Sequence, residues 1–240
     1  MTMLPARWVT SGFFRIHLWV LMGVQTFAAL AIWSLRGSEP GSNVVAWQIG
    51  GAIVAAVVSY VGAVIWMYEA SNAGKAALLV VAAASFVTCI APAMTSTAVP
   101  IRALEILSSG LVSGLVTTAM LLGHWYLNTP TMKLDPLRRL LVMLVVAIAI
   151  RAIISAIGAG IEGTRLSGQP AGIPTSWLLF LALRWIAGLL LPAGLTYLTW
   201  QTLKIPNTQS ATGILYAGVI LVFIGELCAQ MLSATTSFPL

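Results

Sequence analysis

Seven long apolar segments, separated by short polar breaks, constrain this chain more than any other feature. They span residues 12–34, 44–68, 75–95, 102–127, 138–160, 176–203 and 209–235. Each is long enough for a helix to cross a ~30 Å hydrocarbon core, which takes roughly 20 predominantly apolar residues. Their apolar positions are continuous and do not alternate, which excludes a transmembrane β-barrel. The sequence therefore predicts an all-α, polytopic integral membrane bundle of seven transmembrane helices.

The composition fits a chain that is mostly immersed in lipid. Only 8% of the residues are charged, whereas about 25% are charged in a soluble domain. No loop between the segments could hold a separate domain, so we predict a single transmembrane domain over residues 1–240. The first segment lacks a cleavage pattern and is expected to be a retained helix. Both cysteines, Cys89 and Cys228, fall inside predicted helices, which argues against a disulfide framework or a metal site.

Positive charges in the loops and helix ends are divided unequally between the two sides of the membrane. The side of the N-terminus carries Arg7, Arg15, Lys75, Lys133, Arg138, Arg139 and Lys204, and the opposite side carries Arg36, Arg102 and Arg165. Because cytoplasmic loops carry the excess of Lys and Arg, we predict the N-terminus in and the C-terminus out. Topology and anionic lipid then explain the net charge of +6, without nucleic acid as a partner.

The only two histidines, His17 and His124, fall near the predicted cytoplasmic ends of the first and fourth helices. Imidazole at such a depth can ligate haem iron or hydrogen-bond a quinone carbonyl. The candidate ligand-binding residues are therefore His17, His124, Trp125 and Tyr126. The alternative, which is favoured, is that these are amphipathic side chains at the membrane interface. We expect His124 to turn inward and at least one of the two aromatic rings to face lipid.

Three charged residues fall deep inside predicted helices. Arg151, Arg184 and Glu226 lie at a similar depth on the fifth, sixth and seventh segments. A charge at that depth costs at least ~2.5 kcal/mol and should find a partner inside the bundle. We therefore predict an intramembrane ion-pair cluster, with Glu105 or Glu162 as candidates to offset its excess positive charge. The cluster is either a proton path or anionic-ligand site, or a structural ion pair, which is favoured because no further acid or histidine continues a relay.

Small residues and a proline predict the helix contacts. Gly110 and Gly114 form a GxxxG pattern on the fourth helix, and the segment "GGAIVAAVVSYVG" (50–62) is rich in small residues. Both patterns let neighbouring helices approach closely. Pro192 is expected to kink the sixth helix.

A resemblance to known proteins rests on three segments, "FFRIHLWVLMG", "GHWYLNTPTMKLDPLRRL" and "NTQSATGILYAGVILVFIGELCAQML". They resemble a group of bacterial seven-helix, multi-pass membrane proteins. The "GELCAQML" ending is also similar to the last helices of the quinol-binding membrane anchors of dimethyl sulfoxide and polysulfide reductases, which commonly have more helices. The resemblance implies a quinone-linked subunit of the bacterial cytoplasmic (inner) membrane, with the Glu226 region as a candidate polar contact.

We therefore predict an integral membrane subunit of a bacterial redox or respiratory-type complex, which provides a quinone pocket or a scaffold for partner subunits. Two alternatives stay open. The first is a small-molecule transporter or channel that uses the Arg/Glu cluster, and the second is a b-haem protein that uses His17 and His124. The sequence contains no Walker loop, HExxH or GxSxG motif, so the chain is not expected to be an enzyme on its own.

Overall fold

Every regular element of the described chain is helical. The computed structural model describes residues 8–35, 43–95, 99–129, 132–168, 173–205 and 207–233. The helices are α1 (Ser11–Leu35), α2 (Asn43–Met67), α3 (Ser71–Ile90), α4 (Val99–Asn128), α5 (Asp135–Ser167), α6 (Thr175–Trp185), α7 (Leu191–Thr202) and α8 (Thr208–Ser233). A 3₁₀ turn, Ala91–Thr95, follows α3, and a π-helical turn, Ile186–Leu190, joins α6 to α7.

Seven of these helical stretches are long and apolar enough to cross a membrane, with α6 and α7 forming one span. The predicted fold class is therefore confirmed, while the orientation of the termini stays a prediction. One boundary is wrong: the fifth helix does not end near residue 160 but continues to Ser167. Residues 161–167, which lie between the fifth and sixth predicted segments, are helical. Within them, Arg165 forms an ion pair of 2.8 Å with Glu162 one turn earlier.

The chain divides into two compact units, Met1–Val99 with α1 to α3 and Pro100–Leu240 with α4 to α8. In the first unit, α1 packs on α2 and α2 packs on α3. The rings of Phe14 in α1 and Trp66 in α2 stack with their centroids 4.2 Å apart. A Cβ on Gly51 would lie 2.5 Å from the hydroxyl oxygen of Thr88 in α3. The close approach predicted for the small-residue segment of α2 is therefore confirmed.

In the second unit, α4 and α8 run antiparallel, and every seventh residue of α4 contacts α8. We call this row of contacts the seam. The contacts along this seam pair Arg102 with Ser233, Ser109 with Glu226, Val116 with Gly218, and Gly123 with Thr212. A seven-residue repeat keeps one face of a helix against its partner over several turns. The seam therefore fixes which residues of α4 point into the second unit.

The GxxxG glycines of α4 do not lie on this seam. Gly110 and Gly114 are exposed, and no described atom lies within 4 Å of the position that a Cβ would take on either. The prediction that they bring a neighbouring helix close is wrong for the described residues. Both glycines point away from α8, because each is rotated about the axis of α4 by at least ~100° from the nearest seam residue in the sequence.

Two other glycines make the closest backbone approach in the second unit. Gly188 lies in the π-helical turn, and a Cβ on it would be 2.8 Å from the Cα of Gly225 in α8. A Cβ on Gly225 would overlap the backbone of Gly188. The π-helical turn directly precedes Pro192, which has no N–H to bond the Gly188 carbonyl four residues earlier. The structure thus shows a π-helical turn beside Pro192, while the kink expected there stays a prediction.

An apolar stripe of α5 points outward from the second unit. Its exposed members are Val142, Val145, Val146, Ile150, Ile153 and Ile157. Their spacing of three or four residues places them on one face of the helix. A stripe of this kind suits acyl chains and would promote association in water.

We expect Gly225→Ala to destabilise the second unit, because the added methyl group collides with the backbone of Gly188. Overpacking of this kind typically costs ~1–3 kcal/mol and should lower the melting temperature of the protein in detergent. The matched control is Gly213→Ala on the same helix, where a Cβ would meet no described atom within 4 Å. Equal melting temperatures for the two variants would contradict the contact.

Candidate functional site

The three deep charges stand well inside their apolar spans. Arg151 is sixteen residues from either end of α5, Glu226 is seven residues before the end of α8, and Arg184 is nine residues after the start of the span Thr175–Thr202, which α6 and α7 form together. At 1.5 Å of rise per residue, each is at least ~10 Å along its span from the nearer end. Water at the helix ends is therefore remote from all three side chains.

The structure brings these three residues together around one carboxylate, which is the arrangement inferred from their depth. Oε2 of Glu226 lies 3.3 Å from Nη2 of Arg151, and Oε1 lies 3.0 Å from Nη1 of Arg184. The side chains are 7%, 1% and 0% exposed, respectively. Each carboxylate oxygen is thus bonded to a different cation, and α5, α6 and α8 are held together through Glu226.

Two serines of α4, neither of which was predicted from the sequence, extend the polar network. Ser109 donates a 2.7 Å hydrogen bond to Oε2 of Glu226. Arg151 donates through Nη1 to the hydroxyl oxygen of Ser108 at 3.4 Å, and that hydroxyl donates to the Glu105 carbonyl oxygen at 3.1 Å. For Ser109 the sequence signal is the seven-residue spacing from Arg102, which places it on the seam with α8.

The cluster contains two cations and one anion, and the expected compensation is wrong. Glu105 does not offset the excess charge but pairs with Arg102 at 2.8 Å. Glu162 pairs in the same way with Arg165 at 2.8 Å. Both acids are occupied by a neighbour on their own helix, three residues away. With Glu226 ionised, the cluster therefore has a formal charge of +1 among the described residues.

Arg184 contacts Glu226 through only one of its three guanidinium nitrogens, Nη1. Its Nε and Nη2 atoms are buried and have no hydrogen-bond partner among the described residues. These two nitrogens form the edge of the guanidinium plane on which two N–H groups point in parallel. We call this pair of donors the open edge of Arg184. Buried donors of this kind are costly unless an acceptor meets them.

Glycine provides the room for this side chain. Gly188 lies four residues after Arg184 and therefore on the same face of the helix. A Cβ on Gly188 would lie 2.7 Å from Nη1 of Arg184. The four-residue spacing between an intramembrane arginine and a glycine is a sequence signal that could have identified this feature.

His17 is buried in the first unit. Its Nδ1 bonds the carbonyl oxygen of Phe13, and its ring lies 4.1 Å from the Phe13 ring, centroid to centroid. Because a carbonyl oxygen only accepts, Nδ1 is the donor in this contact. His124 belongs to the second unit, so the pairing of the two histidines across a haem stays a prediction. No group of three or more metal-binding side chains occurs in the described part of the chain.

The three successive ring residues at the end of α4 point in different directions. His124 is exposed, Trp125 is half-buried and Tyr126 is buried. The prediction of an inward His124 is therefore wrong, because the seam turns Gly123 and Tyr126 toward the interior. The Tyr126 hydroxyl donates to the carbonyl oxygen of Lys133 and fastens the turn before α5. Tyr126 thus has a structural contact, and Trp125 is the ring that is partly exposed.

The seven apolar spans and the buried charge cluster define a multi-pass, all-α membrane protein with a polar centre in its second unit. No protein-family model, curated protein or solved structure matches this chain. The resemblance inferred from short segments therefore stays an expectation.

Glu226→Gln is expected to destabilise the protein strongly, because it leaves two buried arginines without a countercharge. Loss of one partner from a buried ion pair costs ~3–5 kcal/mol in soluble proteins. The readout is the melting temperature in detergent and the yield of monodisperse protein. The control is Glu105→Gln, whose partner Arg102 has a side chain that is 29% exposed. A Glu226 variant as stable as the Glu105 variant would contradict the central role of Glu226.

Proposed function

We propose that this chain is a membrane transporter or channel for a small anion, which binds at the Arg151–Glu226–Arg184 cluster. The observation that carries the proposal is the open edge of Arg184, which is fully buried and belongs to a cluster with an excess positive charge. An isolated charge inside a membrane protein is expensive. An anion at the open edge would neutralise the cluster and accept both hydrogen bonds at once.

A purely structural ion pair explains less of the geometry. One arginine is enough to pair with one carboxylate, and a second buried cation adds a desolvation cost without a second acid. The Glu226 carboxylate accepts hydrogen bonds from Ser109, Arg151 and Nη1 of Arg184. They leave the second edge of the Arg184 guanidinium unexplained. Intramembrane charges of this kind commonly mark substrate or ion pathways.

The irregular backbone beside the cluster also supports ligand binding. The π-helical turn Ile186–Leu190 begins two residues after Arg184, and π-helical turns are frequent at functional sites.

We further propose that the protein lies in a bacterial cytoplasmic membrane with its N-terminus inside, as the loop charges indicate.

A quinone-binding subunit of a redox complex is the second candidate function. The same open edge can donate to a quinone carbonyl oxygen, and Glu226 lies beside it as the acidic contact expected from the resemblance to quinol-binding anchors. A neutral quinone would leave the excess positive charge in place, so the anion is favoured. Quinone and redox subunits that co-purify with the chain would instead support this candidate.

Proteoliposomes test transport directly. Purified protein is reconstituted, and the uptake of radiolabelled pyruvate, chloride and sulfate is measured at neutral pH. At least one of these anions should enter faster than into protein-free liposomes. Arg184→Gln should abolish this uptake yet remain folded, because Arg151 and Glu226 are left as a balanced pair.

The matched control is Arg15→Gln, which removes one exposed arginine of α1 by the same substitution. It should transport as the unmodified protein does. Uptake that is unchanged in Arg184→Gln, or uptake of none of the three anions, would contradict the proposed transport.

A further inference from the structure

The open edge of Arg184 has a shape that selects among anions. Its Nε–H and Nη2–H groups lie in one plane and point the same way, while Nη1 is already bonded to Glu226 at 3.0 Å. Two parallel donors in a plane match two acceptor oxygens of one planar group, as in the bidentate pairing of arginine with a carboxylate. A spherical ion accepts hydrogen bonds from any direction but has a single acceptor atom, which the two donors would have to share.

The charge of the cluster limits the charge of its ligand. Two arginines and one glutamate leave one positive charge when all three are ionised. A monoanion brings the site to neutrality, whereas a dianion would leave an uncompensated negative charge. In a site where Arg184 is 0% exposed, bulk water does not screen that difference.

The fixed position of the guanidinium adds to this selectivity. Arg184 is held by Glu226 on one side. Gly188 faces it on the same helix, where a Cβ would lie only 2.7 Å from Nη1. A guanidinium that is held in this way loses little further side-chain entropy when a ligand binds, so its orientation is prepared in advance. The plane of the open edge is therefore set by the fold.

We infer that the site takes a planar, monoanionic oxyanion, of the carboxylate or nitrate type, bound in two hydrogen bonds to Nε and Nη2 of Arg184. The inference rests on the proposed anion binding and adds the class of ligand. Carboxylate and nitrate present the same pair of coplanar oxygens, so the geometry assigns the class and the experiment separates its two members.

The test is a binding titration of the full-length protein in detergent, monitored by its melting temperature. The titrants are the sodium salts of pyruvate, acetate, nitrate, chloride and sulfate at constant ionic strength. We expect carboxylates or nitrate to bind at least about tenfold more tightly than chloride, which has no second acceptor atom for the second donor, and than sulfate, which as a dianion would leave an uncompensated negative charge. Comparison of pyruvate and acetate with nitrate then identifies which member of the class is preferred.

A second variant separates charge from shape. Arg184→Lys keeps the positive charge but lacks the planar pair of donors. It should reduce the preference for planar anions over chloride to within about threefold, while anions as a group still raise the melting temperature. If this variant does not fold, the titrations of the unmodified protein still decide the inference.

The outcomes distinguish the two proposals. Equal stabilisation by chloride, sulfate and the planar anions would overturn the inferred ligand class and leave anion binding standing. Stabilisation by none of the five salts would overturn anion binding itself. An unchanged preference for planar anions in Arg184→Lys would show that the open edge does not select them, which also overturns the inference.

Discussion

One carboxylate shared by two arginines holds the second unit of this protein together. Lipid provides little hydrophobic driving force between helices, so helices in a bilayer associate through packing and polar contacts. Glu226 supplies such contacts to three partners, Arg151, Arg184 and Ser109, on three different helices. The seam between α4 and α8 positions the carboxylate. The Gly188–Gly225 contact lets the π-helical turn approach it.

Because two arginines share one carboxylate, some of their hydrogen-bond donors are left over for another partner. A carboxylate that is divided between two guanidinium groups satisfies neither fully, and the structure leaves the open edge of Arg184 as the unsatisfied part. The helix contact and the proposed ligand site would therefore both follow from one charge imbalance. The imbalance persists because the other nearby acids, Glu105 and Glu162, are paired on their own helices.

The positions of the helices along the chain were predicted better than the face that each helix turns toward its neighbours. Apolar length placed the seven spans, and the cost of a buried charge grouped the three cluster residues, because both arguments need only position along a helix. Burial of His124 was wrong because it depends on which face of α4 meets α8, and that is set by contacts between distant segments. The end of α5 was placed too early because Glu162 and Arg165 are typical of loops, although their three-residue spacing suits a helix.

A double-mutant cycle between Glu226 and Arg184 tests the shared carboxylate most directly. The free energy of unfolding would be measured in detergent for Glu226→Gln, Arg184→Gln, the double variant and the unmodified protein. We predict that the double variant is more stable than Glu226→Gln alone, because it removes a buried cation that has lost its countercharge. The coupling should be about 0.5–3 kcal/mol, as for residues in contact. Effects that add to within ~0.5 kcal/mol would contradict the account.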